Sequence, residues 1–141
     1  VVKFLNFDGW NLEWTGEGYK HYDACGFTRK GVACVIEMKF RKKYYEDKML
    51  EKSKYDALMK MDKEVVKLYF VNDPKGNFLY WLNTIKLPEP KNMYCPDTTL
   101  WTKKKVSKPC YLLKESDAAI ININEKDTEL GIWDSYFKVK E

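Results

Sequence analysis

Histidine occurs once, at His21, and arginine only twice, at Arg29 and Arg41. The four cysteines, Cys25, Cys34, Cys95 and Cys110, include no C-x-x-C pair, and no thiol lies near the one imidazole in sequence. That scarcity argues against a zinc site and leaves the thiols as small buried hydrophobes in a reducing compartment. Long apolar runs are missing too, so no membrane-crossing segment is expected. The first ten residues, VVKFLNFDGW, lack the signal-peptide pattern, and a cytoplasmic protein is the expectation. Internal repeats and low-complexity tracts are likewise absent.

What is present bounds the chain from the other side. Hydrophobic residues make up 45% and aromatics 16%, a composition that excludes intrinsic disorder. At 141 residues the chain is expected to be one domain, 1–141, long enough to bury a real core. The net charge of +4 is carried almost wholly by lysine, which suits contact with a polyanion without requiring it.

The stretch KHYDACGFTRKGVACVIEMKFR, residues 20–41, organises the rest. Two apolar, β-branched runs flank Thr28-Arg29-Lys30-Gly31, where the glycine supplies the positive φ of a tight hairpin. The second run is nearly all apolar, as a strand buried on both faces is, yet it holds Glu37 and Lys39, which point to one face. The first run contributes Asp23. Two carboxylates in a buried setting demand a cation, and oxygen ligands suit a hard ion such as Mg²⁺ or Mn²⁺. A lysine beside that ion orients a bound water and stabilises charge building on a phosphate. The competing reading of the same residues is a Glu37–Lys39 salt bridge on the solvent face of an amphipathic strand.

Register decides whether the acids meet. A two-residue turn at Arg29-Lys30 pairs Asp23 with Ile36 and separates the carboxylates. A three-residue loop, Arg29-Lys30-Gly31, pairs Asp23 with Glu37, their β-carbons about 5 Å apart. The three-residue loop is expected, with Asp23, Cys25, Val35, Glu37 and Lys39 on one face and Ala24, Gly26, Cys34, Ile36, Met38 and Phe40 on the other.

Elsewhere, residues 1–7 alternate like a short strand, and 10–18 read as a short helix or an irregular lead-in. Residues 44–61 carry apolar side chains at helical spacing. Residues 65–72 and 77–85 read as strands around the turn Asp73-Pro74-Lys75-Gly76, and the helix before them implies a crossover placing 65–72 parallel to a hairpin strand. Four prolines after residue 87 mark a connector, followed by an expected helix over 114–123 and a strand over 132–139. The fold class is then α/β, a mixed central β-sheet with flanking helices.

In the order Asp23, turn, apolar strand, Glu37-Met38-Lys39, polar helix, the sequence resembles the PD-(D/E)XK nuclease superfamily, with its restriction-endonuclease-like core, in the small type found in phages and mobile elements. Tyr22 stands where the motif's name has proline. The resemblance spans roughly residues 13–82. It implies a DNA nuclease in which Asp23 and Glu37 bind the metal with help from the Met38 carbonyl, and Lys39 is catalytic. It also implies a further acid before the hairpin, Glu17 or Glu13, and substrate contacts from Lys54 and Tyr55 on the following helix, where Glu51 stands in place of a glutamine. Each has a plainer reading as solvated helix surface. His21, two residues before Asp23, either touches substrate or is hydrogen-bonded structure. Trp101 with Lys103, Lys104 and Lys105 either stacks a base and holds phosphates or is ordinary solvated loop. DNA is the expected partner, and a homodimer is left open.

Overall fold

The structure is a computed structural model and describes residues 1–16, 20–96 and 105–121. The hairpin is as the turn chemistry requires. Strand β2 (Ala24–Phe27) runs antiparallel to β3 (Ala33–Phe40), pairing Ala24 with Ile36 and Phe27 with Ala33. Thr28 N–H donates to Val32 O at 2.8 Å across a three-residue loop, and Gly31 sits at φ +79°, the left-handed conformation only glycine takes cheaply. At Asp23 the ladder slips in the manner of a bulge. Its N–H donates to Ile36 O (2.9 Å), and its carboxylate Oδ2 accepts the Met38 N–H (2.8 Å).

Around this hairpin the described residues form a six-stranded mixed sheet, in the spatial order β1 (Asn11–Trp14), β2, β3, β5 (Val66–Asp73), β6 (Gly76–Trp81) and β9 (Ala119–Ile121). Strand β5 lies parallel to β3, with Glu37 beside Tyr69 and Lys39 beside Val71, as the crossover predicts. Strand β6 returns antiparallel to β5 through the expected turn.

Both faces of the sheet are covered. Leu12, Ala24, Cys34, Ile36, Met38, Leu68, Phe70 and Leu79 bury one face against Leu5 and Trp10. The other face, with Val35, Tyr69, Val71, Phe78 and Tyr80, packs against Leu50, Leu58, Tyr111 and Leu113. These last come from a helix, α2 (Lys52–Met59), and a three-stranded sheet of β4 (Lys48–Glu51), β8 (Lys105–Leu113) and β7 (Lys91–Pro96). A small second sheet thus covers a face for which the sequence pattern predicts helix.

Five expected elements differ. Residues 1–7 form a helix, α1 (Val2–Phe7), rather than a strand. Helical geometry drops Leu5 into the core and lets the Asn6 amide take both backbone groups of Leu12, accepting from its N–H at 2.7 Å and donating to its carbonyl at 3.0 Å. The outer edge of β1, itself a strand where a helix or lead-in is predicted, is blunted by that amide. Residues 48–51 leave the predicted helix for β4, where burial alternates and β8 supplies the hydrogen bonds. The segment 114–123 holds a 3₁₀ turn (Glu115–Asp117) and β9 instead of a helix, because Glu115 is drawn to Tyr44 and Lys48 and the chain then pairs with the edge of β6. The proline-marked connector holds two strands. Pro109 fits in β8 because pairing with β4 begins only at Cys110, so no ladder donor is lost on that side. The strand expected over 132–139 lies outside the described residues.

Two stability predictions follow from this packing. Gly26 has φ +150°, and a β-carbon there would sit 1.9 Å from Asn11 O. Gly26→Ala is expected to destabilise by roughly 2–4 kcal/mol, combining backbone strain with overpacking; a denaturant midpoint unchanged from wild type would contradict the β1–β2 contact. Lys48 Nζ is buried against Asp73 Oδ2 at 2.5 Å and Glu115 Oε1 at 3.0 Å. Asp73→Ala leaves that ammonium only Glu115 and the Tyr45 carbonyl and is expected to cost about 1.5–3 kcal/mol, whereas Lys48→Met with Asp73→Leu costs less than the sum of the two single changes, measured by urea unfolding.

Candidate active site

Glu37 and Lys39 stand two residues apart on β3, on the face that meets α2 and the small sheet. Glu37 is only 5% exposed. Burial holds its pKa above the ordinary glutamate range, the nearby Asp23 adds to the rise, and the Lys54 ammonium works against both. Lys54 projects from the first turn of α2 and donates to Glu37 Oε1 as a close ion pair. The amine of Lys39 is pushed below the usual lysine range, chiefly by burial and then by the positive charges of Arg41 and Lys54.

Between these side chains lies a small cavity lined by Glu37, Lys39, Arg41, Glu51, Lys54 and Tyr69, among others, with about 20 Å³ of free space. That is room for about one water. Tyr69 closes its floor, donating its hydroxyl to Met49 O at 2.6 Å. Glu51 ends β4 and faces Lys108, Oε2 to Nζ 3.6 Å.

Among the predicted site residues, Asp23, Glu37, Met38 and Lys39 are gathered on the hairpin, and Lys54 joins them through Glu37. Tyr55 does not. Its ring packs edge-on against Tyr111, centroids 5.3 Å apart, within the second core cluster. His21 lies away from the cavity, beside Ser53, Asp56 and Lys60 on the outer side of α2. Glu13 is exposed on β1, opposite Cys25. Lys105 opens β8, exposed and in a different hollow. Glu17, Trp101, Lys103 and Lys104 fall outside the described residues. Arg41 and Glu51 line the cavity without having been predicted there. Arg41 continues the 37, 39, 41 alternation and is one of two arginines, a signal that was available. The helical spacing puts Glu51 on the face of Tyr55, whereas pairing of β4 with β8 places it in the cavity wall.

The donors near Glu37 are carboxylates, with no thiol or imidazole in the cavity. Among the described residues no group of three or more His, Cys, Asp or Glu is placed to share an ion. Glu37 is a buried carboxylate satisfied by a cation, the Lys54 ammonium, and carboxylate oxygens are the ligands a hard divalent ion prefers.

No protein-family profile matches the sequence, and no curated protein matches it by sequence. The structure is similar to that of Archaeoglobus fulgidus Hjc, a Holliday junction resolvase from an archaeal hyperthermophile, with a TM-score of 0.51 over 82% of this chain and 77% of that one. At 14% identity the likeness is one of fold. The hairpin bearing Asp23 and Glu37-Met38-Lys39, its parallel neighbour β5 and the crossover between them give this chain the restriction-endonuclease-like fold.

Proposed function

We propose that this protein is a metal-dependent nuclease, a single domain over 1–141, that hydrolyses phosphodiester bonds in DNA, with branched or otherwise structured DNA as its substrate. The observation that carries this reading is the buried Glu37 carboxylate beside Asp23 and Lys39, held by a lysine ammonium in a cavity the size of one water. The likeness in fold to a Holliday junction resolvase supports it.

Asp23 and Glu37, with the Met38 carbonyl, would hold Mg²⁺ or Mn²⁺, which when bound supplies Lewis acidity and lowers the pKa of bound water. The chain's own residues do the rest. Glu37 must first release Lys54, whose ammonium is then free to meet a phosphate oxygen at the mouth of the cavity. Lys39, its amine pushed below the usual lysine range by burial and by Arg41, would hold and orient the attacking water. Arg41 lies in the same cavity wall and neutralises charge growing on the phosphoryl oxygens. Burial on β3 fixes the rotamers of the acid, and the Met38 N–H holds Asp23 in place.

A second reading is a non-catalytic module that binds nucleic acid or protein, with the acid and lysine network purely structural. The closed Glu37–Lys54 pair is what favours it.

The two readings separate on a plasmid gel. Supercoiled DNA with Mn²⁺ should be nicked by the wild type, whereas Lys39→Ala and Glu37→Ala should lose more than 90% of the activity, given the roughly 10²–10⁴-fold contribution of positioned proton-transfer and charge-stabilising groups. Both variants should stay folded with stability equal to or above wild type, since each removes a charge whose burial is unfavourable. Variants that cleave like wild type would end the nuclease reading. Metal binding is checked independently by thermal shift. Mn²⁺ at about a hundred times its dissociation constant should stabilise by about 2.7 kcal/mol, and Asp23→Ala should abolish the rise.

A further inference from the structure

Beside the catalytic cavity lies a larger hollow of about 520 Å³, and the two share Arg41 and Met49 in their walls. Whatever occupies it therefore adjoins the phosphate at Lys39. Two tyrosines stand at its rim, Tyr45 after β3 and Tyr94 on β7, with 55% and 78% of their surfaces exposed. Cations and anions are both present: Arg41 and Lys105 against Glu46 and Asp47. Beneath them lie apolar Val71 and Leu112 and the buried Lys48–Asp73 pair.

We propose that this hollow receives one unpaired nucleotide of the DNA strand next to the cleaved bond, so that the substrate is DNA with an unpaired base at a bulge, flap or branch. The inference rests on the nuclease reading above and narrows it. The volume is right for a nucleotide, inside the range of small-molecule sites, while a base within a duplex cannot enter without leaving its stack. Exposed tyrosines give a base two apolar faces on which to stack, irrespective of its identity. The charges set an orientation. Arg41 and Lys105 take phosphates, Glu46 and Asp47 repel them and accept hydrogen bonds from base amino groups, and the apolar floor excludes water from the ring. A plain duplex-binding surface needs none of the acids and would be weakened by them.

The test compares a short paired duplex with the same duplex carrying one unpaired 2-aminopurine, with EDTA present so that binding is read without cleavage. Wild type should bind the bulged duplex at least tenfold more tightly than the paired one, with the probe's fluorescence quenched by stacking. In Tyr45→Ala with Tyr94→Ala that ratio should fall at least tenfold, since each stacked base is worth about five- to a hundredfold in affinity. Tyr94→Phe keeps the ring and should keep the ratio. Both tyrosines are exposed, so circular dichroism and melting should match wild type. A ratio near one in the wild type, a ratio unmoved in the double variant, or an unquenched probe overturns the proposal. Plasmid cleavage assayed in parallel separates the two readings: cleavage without bulge preference removes the nucleotide pocket alone, whereas bulge preference without cleavage supports the pocket and removes the nuclease.

Discussion

The contact between the Lys54 ammonium and the Glu37 carboxylate is the one on which the arrangement of this site depends. A carboxylate on a strand covered on both faces is tolerated only with a charge partner. That partner comes from the crossover between β3 and β5, where Lys54 on α2 reaches Glu37 in the cavity wall. The same pair leaves the buried acid compensated by a cation of the chain itself.

A second buried charge group lies between the small sheet and the large one. Lys48 lies under the ring of Phe78 and against that of Tyr44, 4.3 and 4.5 Å from their centroids, while bonding Asp73 and Glu115. Four segments meet at this ammonium: the loop before β4, the end of β5, β6 and the 3₁₀ turn. It replaces the apolar packing a longer α2 would have supplied, and explains why residues 48–51 are drawn into a strand.

Where the pattern was local and two-sided, it was legible. The apolar run of β3, the glycine at Gly31 and the crossover to β5 each have a single physical outcome; the expected pairing of Asp23 with Glu37 does not follow from them, because the ladder slips at Asp23 and its N–H donates to Ile36 O instead. Sequence periodicity failed where a tertiary partner decided the outcome. Residues 44–51 have helical spacing, but Lys48 finds Asp73 only in a strand. Val2 to Phe7 alternate like a strand, yet the Asn6 amide bonds Leu12 only from a helix. In the site, adjacent residues parted: Lys54 turns to Glu37 and Tyr55 to the core, because α2 begins at Lys52, later than its apolar spacing suggests. Arg41 needed only the two-residue period of a strand continued one step further.

The parallel pairing of β3 with β5 has a consequence in time. Antiparallel hairpins close through a few residues, whereas this contact must wait for β4 and α2 to be spanned, and loop closure over that distance is paid in chain entropy before any pairing rewards it. Glu37 lies on one side of that closure and Lys54 inside it. The cavity around Glu37 and Lys54 is therefore assembled at a late step of folding: a half-folded chain has the Asp23 hairpin without the lysine that pairs its buried acid, and gains that pair only when the crossover docks.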